Sequence, residues 1–204
     1  MIVNQQDINN LIQKDKLFEK ILMLYGKPPQ WKRPAGFVSL CKIILEQQVS
    51  LESAKAHFNR LNNHIKIFNP NNILQLSDAE MRICQISKQK SKYLKELSLA
   101  ILENRLNLDE LIHLTNTEIY QKLMAIKGIG KWTVSIYLLF CLQRKDVFPV
   151  GDIALINTLK ELVPAIQNSE IEQYSVNWKP YRSLAVFFLW HYYLNKRNRT
   201  ALII

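Results

Sequence analysis

Leu123-Met124-Ala125-Ile126-Lys127-Gly128-Ile129-Gly130-Lys131-Trp132-Thr133 opens a stretch that runs on to Leu155 and decides how this chain folds. One apolar run closes on the Gly-x-Gly pair, a second continues through Cys141, and Phe148-Pro149-Val150-Gly151 leads to Asp152. Two helices, a glycine hairpin and one carboxylate therefore follow in order. Gly128 and Gly130 can take the positive φ that a tight reversal needs, and without Cβ atoms they let a ligand approach the main chain. The unpaired N–H groups and the dipole at the start of the next helix suit an anion, and in a basic chain the obvious anion is a DNA phosphate. Alone, Gly-x-Gly reads first as a plain αα-turn inside an all-helical domain.

The rest of the chain narrows the choice. Its 204 residues allow one large domain or two small lobes with a real core, and no long linker divides them. Lys and Arg outnumber Asp and Glu by 27 to 17, a net charge of +10 that favours a polyanionic partner. The first residues lack the pattern of a signal peptide and no apolar run reaches membrane-spanning length, so the expectation is a cytoplasmic protein, nucleoid-associated if bacterial, with no membrane partner; a monomer is expected. Cys41, Cys84 and Cys141 are far apart in apolar helical patterns and read as buried reduced thiols. His57, His64, His113 and His191 show no metal-binding spacing and read as surface or core-edge residues.

Apolar spacing predicts one or two helices over 7–25, ended by Gly26-Lys27-Pro28-Pro29, then a helix over Phe37–Leu45 and another from Ser50 through Leu61. Gln47 and Gln48 fall at the break. Asn69-Pro70-Asn71-Asn72 reads as punctuation. Ser77 with Glu80, and Thr115 with Glu118, are capping-box patterns, and Ser87–Leu102 reads as a long basic helix whose lysines (Lys88, Lys90, Lys92, Lys95) form a solvated face. Asp152 starts a helix through Val163, Ser169-Glu170-Ile171-Glu172 opens another turn, and Trp178–Leu194 forms the last helix with Pro180 in its first turn. No sustained period-two alternation occurs. The fold expected is all-α: one domain over 1–204 in two lobes around a cleft, about 36–140 with the hairpin at 127–133, and 1–35 with about 141–204.

The combination of motifs resembles the helix-hairpin-helix DNA glycosylases, in particular their alkylation-repair branch. Ile126, Gly128, Gly130, Lys131 and Asp152 match the family's apolar residue, hairpin glycines, basic residue and essential Asp. Ile44–Ser50 looks like its damage-probing loop, and Trp178–Ala185 with Leu189-Trp190 like its closing helix. The resemblance runs from about Phe37 to Tyr192. Relative to some bacterial members the chain looks like a minimal catalytic core without an added β-domain. Gln85 stands where relatives commonly have Gly, which weakens any second phosphate-binding turn there.

The resemblance implies excision of alkylated purines, 3-methyladenine first, from double-stranded DNA in base-excision repair. Asp152 would stabilise the developing charge on the sugar; without the family it is simply a helix cap. Trp132 and Trp190 would wall the base pocket, although a lone Trp on a helix is usually core. Lys127, Gly128, Ile129, Gly130, Lys131 and Thr133 would hold the DNA backbone, and Gln48 would enter the gap left by the flipped nucleotide, rather than remain a solvent-facing glutamine. Relatives that also cut the strand carry a lysine two residues after the second hairpin glycine; here that residue is Trp132, so hydrolysis without strand cleavage is expected. No four-cysteine cluster follows Cys141, so no iron–sulfur cluster or other cofactor is expected, a monovalent cation at the hairpin backbone being the one ion considered. Two rivals remain at this point: a non-catalytic helix-hairpin-helix DNA-binding module, and a bifunctional oxidised-base glycosylase/lyase.

Overall fold

A computed structural model describes residues 1–199; the end of the predicted second lobe, 200–204, lies outside the described residues. Among these there is no strand. Twelve α-helices follow in order: α1 (Gln5–Lys14), α2 (Leu17–Tyr25), α3 (Phe37–Glu46), α4 (Leu51–His64), α5 (Pro70–Gln75), α6 (Asp78–Ile83), α7 (Lys88–Leu102), α8 (Asn116–Met124), α9 (Lys131–Phe140), α10 (Ile153–Leu162), α11 (Ile171–Val176) and α12 (Arg182–Lys196), with a 3-10 turn at Asp109–His113. The all-α expectation holds. The described residues divide into two compact units, one from Arg33 to Tyr137 and one formed by Met1–Lys32 with residues 138–199.

Short polar side chains set where these helices begin. Ser50, Asn69, Ser87 and Asp152 each accept a backbone N–H of the following first turn, and Ser77/Glu80 and Thr115/Glu118 form complete capping boxes. Each cap contributes on the order of 1 kcal/mol. Hydrogen bonds from Ser77 hold the Glu80 carboxyl down at about 2, so this cap survives well into acid. Asn69-Pro70 is no mere break: Asn69 caps α5 and Pro70 occupies its first turn, where its missing N–H has no intrahelical partner to lose. Gln85 takes the left-handed conformation just after α6 (φ +61), a position costing a non-glycine roughly 1–2 kcal/mol.

In the unit of residues 33–137, α3 supplies the core. Leu40, Cys41, Ile43, Ile44 and Leu45 are all inaccessible, and α3 packs on α4 and α7, with α5 and α6 against α7. In the other unit, α12 is buried from Ser183 to Leu189 and packs on α1, α2 and α10. The last helix begins later than predicted. Trp178 and Pro180 precede it, with a cis Lys179–Pro180 bond, and Trp178 is fully buried against Phe18, Phe148 and Tyr174. Its indole N–H and the Tyr174 hydroxyl both donate to Asp15, each at 3.0 Å. The apolar pattern runs through both segments, so it cannot show the break between them. The three cysteines are buried and form no disulfide.

Candidate active site

The hairpin lies wholly within the 33–137 unit. After α8, Ile126 and Ile129 turn inward, 5% and 4% exposed, and the Ile129 N–H closes the turn on the Ile126 carbonyl at 3.1 Å. The two glycines do different work. Gly128 has φ +94, and a Cβ there would sit 2.1–2.5 Å from the Tyr93 ring of α7, so this glycine is needed by the fold itself. Gly130 departs from expectation: it has no positive φ, and a Cβ there would meet nothing within 4 Å. It lies exposed between the exposed Lys127 and Lys131.

One of the predicted backbone contacts needs correcting. Thr133 is 1% exposed, and its hydroxyl accepts the Gln47 amide N–H at 2.9 Å, so it braces the hairpin from within and is not presented to a phosphate. The Ile129 side chain is core, so its part in the hairpin is a main-chain one.

Between α3 and α4 the chain reverses with Gln48 at φ +57, exposed, beside the partly exposed Val49 and Leu51. Gln47 turns the other way. Its Nε2 donates both to the Gly128 carbonyl and to Thr133 Oγ1, at 2.9 Å each. The end of α3 is fixed as well: Lys90 Nζ donates to the Leu45 carbonyl at 2.5 Å, and Glu46 pairs with buried Arg33 through both oxygens (2.9 and 3.1 Å). Lys90 thus leaves the solvated face expected for it, and burial, opposed in part by Glu46, lowers its pKa. Sequence inspection missed Gln47, Lys90 and Arg33. The paired glutamines at a helix end were the one available sign, while lysine and arginine patterns looked like surface.

Asp152 belongs to the other unit. Its Oδ1 accepts the Leu155 N–H at 3.0 Å, capping α10, and also the Trp190 indole N–H at 3.3 Å. Both residues are half-buried. Trp190 stacks on Phe140 with ring centroids 5.3 Å apart and planes 9° from parallel. The approach to Asp152 is tightly built. Gln143, at φ +53, donates to the Leu139 and Trp31 carbonyls, Lys145 pairs with Asp7 at 2.8 Å, and the Ser183 hydroxyl links the Arg144 carbonyl to the Val147 N–H. The nearby alternative, Asp146, is held by Arg182 Nε and Nη2 at 2.6 and 2.9 Å. That fork-to-fork pair gives Asp146 a structural role. Gly151 at φ +85 then turns the chain into the α10 cap.

Trp132 is the second residue of α9, half-buried, and Lys131 the first. Trp132 and Trp190 lie in different units. Among the described residues, no group of three or more His, Cys, Asp or Glu side chains is arranged to hold a metal ion, and no helix is long and apolar enough to cross a membrane.

Known proteins share both the sequence and the architecture. The chain is 37% identical over 124 residues to the Bacillus subtilis protein YfjP, an overlap of 59% of this chain but only 43% of YfjP. It is 28% identical over 190 residues to the Schizosaccharomyces pombe protein named DNA-3-methyladenine glycosylase 1, covering 90% of this chain and 83% of that one. The structure of the S. pombe 3-methyladenine DNA glycosylase Mag1 in complex with abasic DNA is similar with a TM-score of 0.84 at 26% identity, over 91% of this chain and 95% of that one. The description "HhH-GPD superfamily base excision DNA repair protein" matches residues 41–181, which hold the Gln47-Gln48 turn, the hairpin and Asp152. Well over half of the sequence falls within that match, and the chain belongs to the HhH-GPD superfamily of base excision DNA repair proteins.

Proposed function

We propose that this protein is a monofunctional DNA glycosylase that removes alkylated purines, 3-methyladenine foremost, from double-stranded DNA. The observation that carries the reading is Asp152: a half-buried carboxylate at the start of α10, held by a backbone N–H and by the Trp190 indole, in a chain whose relatives are named 3-methyladenine glycosylases. A pure DNA-binding module needs neither the carboxylate nor the buttressed approach to it.

The hairpin holds the backbone through Lys127, Lys131 and the main chain at Gly128–Gly130, with Gln48 occupying the gap left by the extruded nucleotide. Asp152 acts on the sugar. As the bond from C1′ to the base nitrogen breaks, its electron pair leaves with the base, positive charge grows on the sugar ring, and the carboxylate stabilises that charge. Water then gives its hydroxyl to C1′ and its proton to solvent, leaving an abasic site. Ring-nitrogen methylation makes the base cationic, so the departing pair neutralises it, and a cationic base also stacks on indole with roughly 0.5–2 kcal/mol of cation–π attraction, the role proposed for Trp132 and Trp190. No cofactor takes part; a monovalent cation at the hairpin carbonyls would aid phosphate binding only. The protein works as a cytoplasmic monomer.

The test is to incubate the protein with methylated duplex DNA and identify the bases released. Free 3-methyladenine with intact strands supports the reading, and DNA binding without any released base refutes it.

A further inference from the structure

Three consecutive residues at the end of α3 are each tied to a different partner. The Leu45 carbonyl is held by Lys90, the Glu46 carboxylate by Arg33, and the Gln47 amide by the hairpin. The next residue, Gln48, is exposed and left-handed. All of these groups lie in the 33–137 unit. A non-glycine at positive φ is held there only where its surroundings over-determine it, and here those surroundings are these three anchors.

The anchors are not equivalent. Lys90 and Arg33 fix the helix end to the body of the unit, whereas Gln47 alone fixes it to the hairpin. Its primary amide has two hydrogens, and both are in use, one on the Gly128 carbonyl and one on the Thr133 hydroxyl. A carboxylate in its place would set an acceptor against an acceptor, and an apolar side chain would leave a part-buried carbonyl and a buried hydroxyl without that donor. The Gly128 carbonyl belongs to the peptide that leads into Ile129 and the exposed Gly130, so Gln47 holds the hairpin main chain two residues before its exposed glycine.

We infer that Gln47 is a positioning residue: it locks the Gln48 turn to the hairpin, so that the grip on the DNA backbone at Gly130 and Lys131 fixes where Gln48 enters the duplex. The inference rests on the roles proposed for Gln48 and the hairpin. It assigns to Gln47 no contact with DNA.

The experiment uses the full chain with duplexes carrying 2-aminopurine beside a methylated purine, whose fluorescence rises when the stack is opened. It reads that rise, single-turnover base release, and affinity for undamaged duplex. Gln47→Met keeps the side-chain volume and removes the amide; the fluorescence rise and the release rate fall roughly tenfold, as expected for the loss of two hydrogen bonds, while undamaged-duplex affinity stays within about twofold. Gln48→Ala produces the same losses, and the double variant loses no more than either single one, since both act through one side chain. A wild-type fluorescence rise in Gln47→Met, or losses that multiply in the double variant, overturns the inference. Should Gln47→Met fail to fold, Thr133→Ala removes one of the two acceptors and must give an intermediate fall in fluorescence; an unchanged signal overturns it equally. Wild-type protein that opens the stack but releases no base contradicts the proposed reaction, and the fluorescence comparison still decides the role of Gln47.

Discussion

Trp190 donates its indole N–H to Asp152, with Nε1 3.3 Å from the carboxylate oxygen that also accepts the Leu155 N–H at 3.0 Å. The tryptophan is therefore not plain core: one face packs on Phe140, and its edge holds the carboxylate. Trp190→Phe keeps the ring and deletes the donor. Release of 3-methyladenine and of hypoxanthine should both fall roughly ten- to a hundredfold, the worth of one hydrogen bond to a charged group, with the melting temperature nearly unchanged. Trp190→Leu removes the ring as well, and should reduce excision of the cationic base more than of the neutral one. Equal rates for wild type and Trp190→Phe would mean that the bond does not act in the reaction.

The two hairpin glycines should separate stability from binding. Gly128→Ala forces a Cβ into the Tyr93 ring and a strained φ, and should cost roughly 2–4 kcal/mol in denaturant unfolding. Gly130→Ala faces open space and should unfold like wild type while binding duplex more weakly. Lys131→Ala should lower the salt slope of binding by roughly one unit. Similar behaviour of the two alanine variants in both assays would undo the distinction.

Much of this was legible in the sequence because the signals are local. The caps at Ser50, Ser77, Ser87, Thr115 and Asp152 are short polar residues ahead of apolar runs, and the helices begin where they stand. Asp152 and Gln48 stood out through family motifs of fixed spacing. What escaped notice were pairings between residues far apart along the chain: Gln47 with Thr133, Lys90 with Leu45, Trp190 with Asp152. A lysine or threonine carries no local mark of the partner that buries it. The start of α12 was misplaced because Trp178 is as apolar as the helix that follows.

Burial, together with the adjacent Asp15 carboxylate, pushes the Tyr174 hydroxyl up to about 12. A phenol whose folded pKa lies above its ordinary value of 10 stabilises the fold fully below that value, and the contribution is lost as pH rises through 10 to 12. Melting temperature should therefore drop across that window, and Tyr174→Phe should show a shallower drop. Parallel curves for the two proteins would remove Tyr174 from the alkaline response.

With Trp132 at the position where lyase relatives carry an amine, borohydride should trap no covalent adduct between protein and DNA, and the abasic product should stay uncut until treated with base. Lys131, exposed at the first position of α9, supplies an internal check. Trapping that disappears in Lys131→Ala would reverse the assignment of hydrolysis.

The central claim is that the Asp152 carboxylate drives loss of the base, and the most direct measurement is the single-turnover rate of 3-methyladenine release by wild type and Asp152→Asn. Asparagine caps a helix as well as aspartate, so α10 and the fold should survive the substitution while the charge is lost. The account predicts release slowed by about 10²–10³ or more, with duplex affinity and melting temperature close to wild type. Release by Asp152→Asn within a few-fold of wild type would contradict it.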